Sequence, residues 1–238
     1  MGILYIVATP IGNMQDITQR AIKVLQSVDV IACEDTRKAG ILFSRVLPTE
    51  VVKPKLVSYY EQNELQRIPE VISAIKDNLN VALVSDAGTP TISDPGFKLV
   101  RECIKEGIKV ESIPGASSVI TALTVSGLPT DKFLFIGYPP KKPGHRKTLF
   151  ENLEKLPIKT TIIFFEGSHH IVRIFEEIKE VFGDIDIVIC RELTKIYEEI
   201  RREKISKSLE HFGKTTPKGE FVILFNEFPS KGQLLGYS

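Results

Sequence analysis

The 238-residue chain has no CxxC pair; its three cysteines, Cys33, Cys103 and Cys190, are far apart and odd in number. That usage excludes a disulfide framework and fits buried thiols in a reducing cytoplasm. Long apolar runs are missing too. The longest spans six residues, Ile3 to Ala8, far short of the roughly 18 that cross a bilayer, and no basic stretch precedes it to form a secretion signal. No membrane association is expected. No two glycines are separated by a single residue, so GxGxxG is impossible, and neither GxxxxGK[ST] nor GxSxG occurs. Dehydrogenase, nucleotide-loop and hydrolase readings lose their main support. Adjacent His169 and His170 lack HExxH spacing and a nearby third ligand, so a helix-start or polar-turn role outweighs a metal site. Excess charge is absent as well: 31 Lys and Arg against 30 Asp and Glu leave +1, which does not mark a nucleic-acid binder. What is present, 42% hydrophobic and 26% charged residues, describes a soluble globular protein with a substantial core.

The chain alternates short apolar strands with amphipathic helical stretches. Strands are expected over 3–8, 28–33, 55–60, 81–85 and 109–113, with helices over 18–27, 36–43, 64–76, 97–106 and 119–126. Such alternation implies a doubly wound parallel sheet. After GLPTD the character changes. Strands are expected over 133–138, 160–166, 185–190, 197–202 and 221–225, with helices near 146–156 and 170–182. Two of those strands follow each other without a helix, so a mixed sheet is expected there. The reading is α/β, with an N-terminal domain over 1–116 and a C-terminal domain over 117–238.

Unusual residues collect in the turns that end the strands: ATPIGN (8–13), SDAGTPTISDPG (85–96), PGASS (114–118), GYPP (137–140) and EGSHH (166–170). Any α/β protein needs Gly and Pro in its turns, but several such turns on one predicted sheet edge point to a binding crevice. Two charged clusters share that position. Cys33-Glu34-Asp35-Thr36-Arg37 closes one strand and opens a helix, where Asp35 and Thr36 are equally suited to capping it. Arg191-Glu192-Leu193-Thr194-Lys195 follows another strand. The run KKPGHRK (141–147) reads as a loop on the same rim, suited to phosphate contact.

These blocks, with GLPTDKF and KGE, occur in the order found in the ribosomal RNA small subunit methyltransferase I family, which the chain resembles from residue 3 to about 226. SDAGTP…DPG together with EDTR and RELTK carries the resemblance; EGSHH and GYPP depart from the family's usual ESxHR and GFLP. The resemblance implies a two-domain, tetrapyrrole methylase-like α/β fold. It also implies a cytoplasmic homodimer that holds S-adenosylmethionine in the cleft between domains without a metal and methylates a cytidine 2′-oxygen in the decoding region of 16S ribosomal RNA or the small ribosomal subunit. It assigns the cofactor to Thr9, Ile11, Ser85, Asp86, Thr89, Ser117, Ser118, Glu166 and Leu193. Glu34, Asp35 and Lys195 are the candidate proton acceptors. Arg37, Lys141, Lys142, Arg146, Lys147 and Arg191 are expected to face RNA. A tetrapyrrole acceptor, a modified histidine on an elongation factor, and a non-catalytic ribosome-assembly factor are the competing readings.

Overall fold

The computed structural model describes residues 1–46, 54–214 and 218–226. The chain divides into two compact units, Met1–Ser118 and Val119–Ser238, a division two residues beyond the expected one.

In the first unit the strands are β1 (Ile3–Val7), β2 (Val30–Cys33), β3 (Lys55–Ser58), β4 (Val81–Val84) and β5 (Lys109–Ile113). All pair in parallel, in the order β3-β2-β4-β1-β5. The central strands β2 and β4 are buried at every position, as strands covered on both faces must be. The alternation of side chains across the pleat builds two cores. On one face Leu4, Ile6 and Leu83 pack with Ile72 and Ile75 of helix α3 (Glu64–Lys76) and with Leu99 and Cys103 of α4 (Phe97–Lys105). On the other, Val7, Ile31 and Val84 meet Ala21 and Leu25 of α1 (Gln19–Ser27) and Leu42 and Phe43 of α2 (Thr36–Val46).

This wrapping fixes where a site can form. The chain leaving β4 turns to the face of α4, while the chains leaving its neighbours β1 and β2 turn to the opposite face. The loops at the carboxyl end of β4 therefore part from those beside them, and an open parallel sheet binds its ligands at such a parting.

The second unit opens with α5 (Ser118–Ser126), whose first residue belongs to the first unit, and continues β6 (Phe133–Phe135), α6 (Pro143–Glu154), β7 (Thr161–Gly167), α7 (Ile171–Phe182), β8 (Asp186–Arg191), β9 (Glu199–Lys204), α8 (Ile205–Gly213) and β10 (Glu220–Asn226). Its sheet runs β6-β7-β10-β8-β9; β6 and β7 are parallel and the remaining pairs antiparallel. Phe150, Ile174, Phe175, Ile178, Ile205 and Phe212 seat α6, α7 and α8 on it.

Three expectations are corrected here. The segment 141–147 is not a loop throughout, because Pro143 opens α6; proline suits the first helical turn, where its missing N–H is not needed. The strand expected from residue 197 begins at Glu199, leaving Tyr197 in the preceding loop. Helix α8 was not expected; Ile205, Ser208 and Phe212 bury its inner stripe. None of the described helices is long and apolar enough to cross a membrane.

Candidate functional site

At the carboxyl rim of the first sheet, short hydrogen bonds lace the loops after β1, β4 and β5 together. Thr9 and Gly88 exchange main-chain bonds, N–H to O, at 2.8 and 3.1 Å. The Thr9 hydroxyl donates to the Ser85 carbonyl at 3.3 Å, the Ser85 hydroxyl to the Ala87 carbonyl at 3.2 Å, and the Thr89 hydroxyl to the Ala116 carbonyl at 3.0 Å. These bonds bring Thr9, Ser85, Thr89 and Ala116 together, and the Ile11 side chain lies beside Gly88. The three hydroxyls, however, serve as staples of the rim, which leaves main-chain groups and carboxylates to meet a ligand. Thr91 (φ 75°) and Ser93 (φ 62°) hold left-handed backbone farther along the β4 loop; for a β-branched threonine that is strained and marks a constrained segment.

The EDTR residues close the same rim. Asp86 lies at their centre: its N–H donates to Glu34 at 3.1 Å, its carboxylate accepts from the Asp35 N–H at 3.3 Å, and it pairs with Lys38 Nζ at 2.7 Å. Asp35 accepts from the Arg37 N–H at 2.9 Å, capping α2, and also takes the Arg37 guanidinium on both oxygens at 3.1 and 2.8 Å. Those bonds hold its carboxyl well below the usual carboxylate range. Glu34 goes the other way, its pKa raised first by burial. Burial and the nearby acids push the Cys33 thiol up to about 12, which keeps it inert.

Sequence reasoning passed over two members of this group. Lys38 neutralises Asp86. Asp94, within SDAGTPTISDPG, is hydrogen-bonded to Ser85 and lifted to about 7, chiefly by burial and then by Glu34 and Asp86. Its proline-flanked motif was visible, whereas its nearness to residues 34 and 86 exists only in the fold.

The second unit carries its own rim. The rung that pairs Phe221 with Glu166 on one side and Arg191 on the other sets these two strand ends level. Glu166 is buried, accepts from the Gly167 N–H at 2.7 Å, and has its pKa raised by that burial. In the loop after β8, Glu192 (φ 50°) and Thr194 (φ 64°) are left-handed and Leu193 is buried. Lys195 bridges Glu192 and Glu220, each at 2.9 Å, and these bonds raise its pKa against the opposing effect of burial. Ile196 and Tyr197 are left 95% and 75% exposed beside it.

The expected RNA-facing cations separate into two kinds. Arg146 is buried: its guanidinium grips Glu177 with two nitrogens and donates to the carbonyls of Pro140 and Lys141 at 3.0 and 3.2 Å. It is a structural ion pair that pins α6 to α7, which corrects its expected place at an RNA surface. Arg191 is engaged by the Lys218 carbonyl at 2.6 Å and by Glu199 at 3.2 Å, and Lys147 by Glu180 at 2.5 Å. Lys141, Lys142 and Arg37 lie on the surface. His170 is the N-terminal cap residue of α7, and among the described residues no His, Cys, Asp or Glu group of three or more is arranged to hold a metal ion.

S-adenosylmethionine would present a carboxylate, an ammonium, a sulfonium and an adenosine. The first rim has complements for them: the helix N-terminus at Ser118 suits a carboxylate, and Asp86 suits a cationic or hydrogen-donating group. The donor set fits.

Comparison with known proteins extends the reading over nearly the whole chain. Residues 3–208 match the Tetrapyrrole (Corrin/Porphyrin) Methylases. Ribosomal RNA small subunit methyltransferase I of Thermotoga maritima is 42% identical over 226 residues, 95% of this chain and 99% of that protein. The protein of the same name from Halalkalibacterium halodurans is 44% identical, covering 94% and 75%. Among solved structures, a uroporphyrin-III C-methyltransferase from Thermus thermophilus complexed with S-adenosyl homocysteine aligns with a TM-score of 0.64 at 16% identity, over 94% of this chain and 97% of that one. A diphthine synthase aligns at 0.68 and 14%, over 94% and 89%. At such identities the structural likeness speaks for the fold alone.

Proposed function

Because the chain belongs to the ribosomal RNA small subunit methyltransferase I family, within the tetrapyrrole methylases, we propose that it methylates the 2′-oxygen of a cytidine ribose in the decoding region of 16S ribosomal RNA, working as a cytoplasmic homodimer. The near full-length identity carries this reading, and the laced rim around Asp86 supports it. In it the donor lies against Thr9, Ile11, Ser85, Asp86, Thr89, Ser117 and Ser118. S-adenosylmethionine supplies a methyl group on a positively charged sulfur.

The chain's own part is to position the ribose and take its proton. Of the three candidate acceptors, Asp35 is held ionised by Arg37 and is a poor base, and Lys195 is held as an ammonium by Glu192 and Glu220. Glu34 differs. Its raised pKa brings the carboxylate closer to the basicity that proton transfer from a weakly acidic hydroxyl needs. In this reading Glu34 receives the 2′-hydroxyl proton, while Asp35 and Lys195 orient their neighbours.

Labelled methyl transfer tests the proposal, with small subunits, naked 16S RNA and a porphyrinogen offered in parallel. The label is expected in 2′-O-methylcytidine of the RNA; label on a base, on the porphyrinogen or nowhere overturns the reading. Asp86→Ala is expected to weaken S-adenosylmethionine binding in calorimetry at least about tenfold, as loss of a charged hydrogen-bonding centre does. Glu34→Gln is expected to keep that affinity and lower kcat about 10²-fold or more.

A further inference from the structure

A pocket of about 220 Å³ opens at the carboxyl end of the first sheet, where α3 and α4 begin, and the roles argued above leave it without an occupant. Glu61, Glu64, Asp94, Phe97 and Lys98 line it. Two helix N-termini side by side ordinarily draw an anion. Here acids already meet that field. Glu64, the first residue of α3, is buried and takes Lys98 Nζ at 2.5 Å and the Tyr59 hydroxyl at 3.4 Å. Glu61 is exposed beside the pocket and Asp94 is half-buried in its wall. A phosphate is therefore repelled, and a group that donates hydrogen bonds is favoured.

Phe97 narrows the ligand further. Its ring is 60% exposed at the first position of α4, at the mouth of the pocket, and the Arg101 guanidinium lies 5.4 Å from its centroid. An exposed ring beside acidic acceptors in a concave site supplies what an unstacked nucleobase needs, a stacking face and partners for its edge. Gly96 keeps the wall thin: at φ +126° its main chain lies so near Leu83 that an added Cβ would come within 2.3 Å of the leucine Cδ2. The pocket also shares Asp94 with the rim, since that residue bonds Ser85.

We propose that this pocket receives an amino-bearing nucleobase of the RNA substrate, its ring stacked on Phe97 and its exocyclic amine donating to Glu61 and Asp94. Uracil, with a carbonyl oxygen where cytosine carries an amine, is disfavoured by the exposed Glu61 carboxylate, which can only accept. The proposal rests on the reading that the acceptor is RNA and adds to it the element that recognises the base.

Fluorescence anisotropy of the full chain with oligocytidylate and oligouridylate of equal length, at one salt concentration, tests it. The wild type is expected to favour cytidylate about tenfold, the discrimination one good edge contact provides. Glu61→Gln is expected to abolish that preference, and Phe97→Ala to weaken both oligomers about tenfold, because stacking is tolerant of sequence. Both side chains are exposed, so thermal melts and S-adenosylmethionine affinity should not move. Equal wild-type binding of the two oligomers, or variants that bind them as the wild type does, overturns the pocket. If the wild type also methylates small subunits, only the pocket falls; if it neither binds nor methylates RNA, the functional reading falls with it.

Discussion

At the scale of single residues, like side chains are set to unlike purposes by their surroundings. Asp35 and Asp94 are both rim aspartates, yet Arg37 holds one ionised while burial and neighbouring acids hold the other partly protonated. Asp94 keeps its proton in the folded chain up to about pH 7 but releases it near 3.8 when unfolded. The folded state thus binds more protons between those values, and this group's contribution to stability is full at low pH and lost as pH rises through about 7. Asp94→Asn removes that dependence. In urea unfolding, the stability of the wild type relative to Asp94→Asn is expected to fall by about 4 kcal/mol between roughly pH 4 and pH 8; a difference that stays flat contradicts the assignment. Residue-scale facts of this sort were the least legible in the sequence. Within KKPGHRK nothing sets Arg146 apart from the lysines, because its burial depends on Glu177 arriving from another helix. Glu34 and Asp94 were likewise written in plain motifs, but their mutual approach was not.

At the scale of elements, periodicity was informative wherever one face had to be buried. Helix α3 runs over 64–76 as expected, with Ile68, Ile72 and Ile75 turned to the core, while Leu65, which the periodicity puts on the same face, is 68% exposed. The fully apolar β2 and β4 announced a covered parallel sheet. Helix α8 escaped because it follows β9 without a turn residue and its apolar stripe is interleaved with the cations of 201–207. The loops that close the second rim depend on one glycine. Gly219 sits at φ +103°, and a Cβ there would lie 2.7 Å from the Glu192 side chain, which orients both Lys195 and the Glu220 N–H. Gly219→Ala is expected to destabilise the protein by about 1–3 kcal/mol through backbone strain and the displaced glutamate, measured by chemical denaturation; an unchanged midpoint would remove Gly219 from this role.

For the whole molecule, near-neutral net charge means that contact with a polyanion depends on where cations are exposed, not on how many there are. Lys141 and Lys142 lie on the surface, while Arg146 of the same run is consumed by Glu177. Replacing both lysines with glutamine is expected to lower the slope of log affinity for RNA against log salt by about 1.5, near the value for two phosphate contacts. A slope that does not change returns both to an ordinary solvated surface. The sequence located this run correctly in the chain but treated its cations as equals, since only packing distinguishes them.

Among the described residues β6 and β9 each pair on one side only, and these two edges are guarded differently. β9 reads EIRREK, five charged side chains in six positions, and charge along an edge disfavours the addition of a neighbouring molecule's strand. β6 is only Phe-Leu-Phe, with Phe133 and Leu134 on the surface; its protection is brevity, because three residues offer too short a template to nucleate stacking. Any change that lengthened β6 would remove that protection, and a charged residue at position 134 is the single change that would armour it.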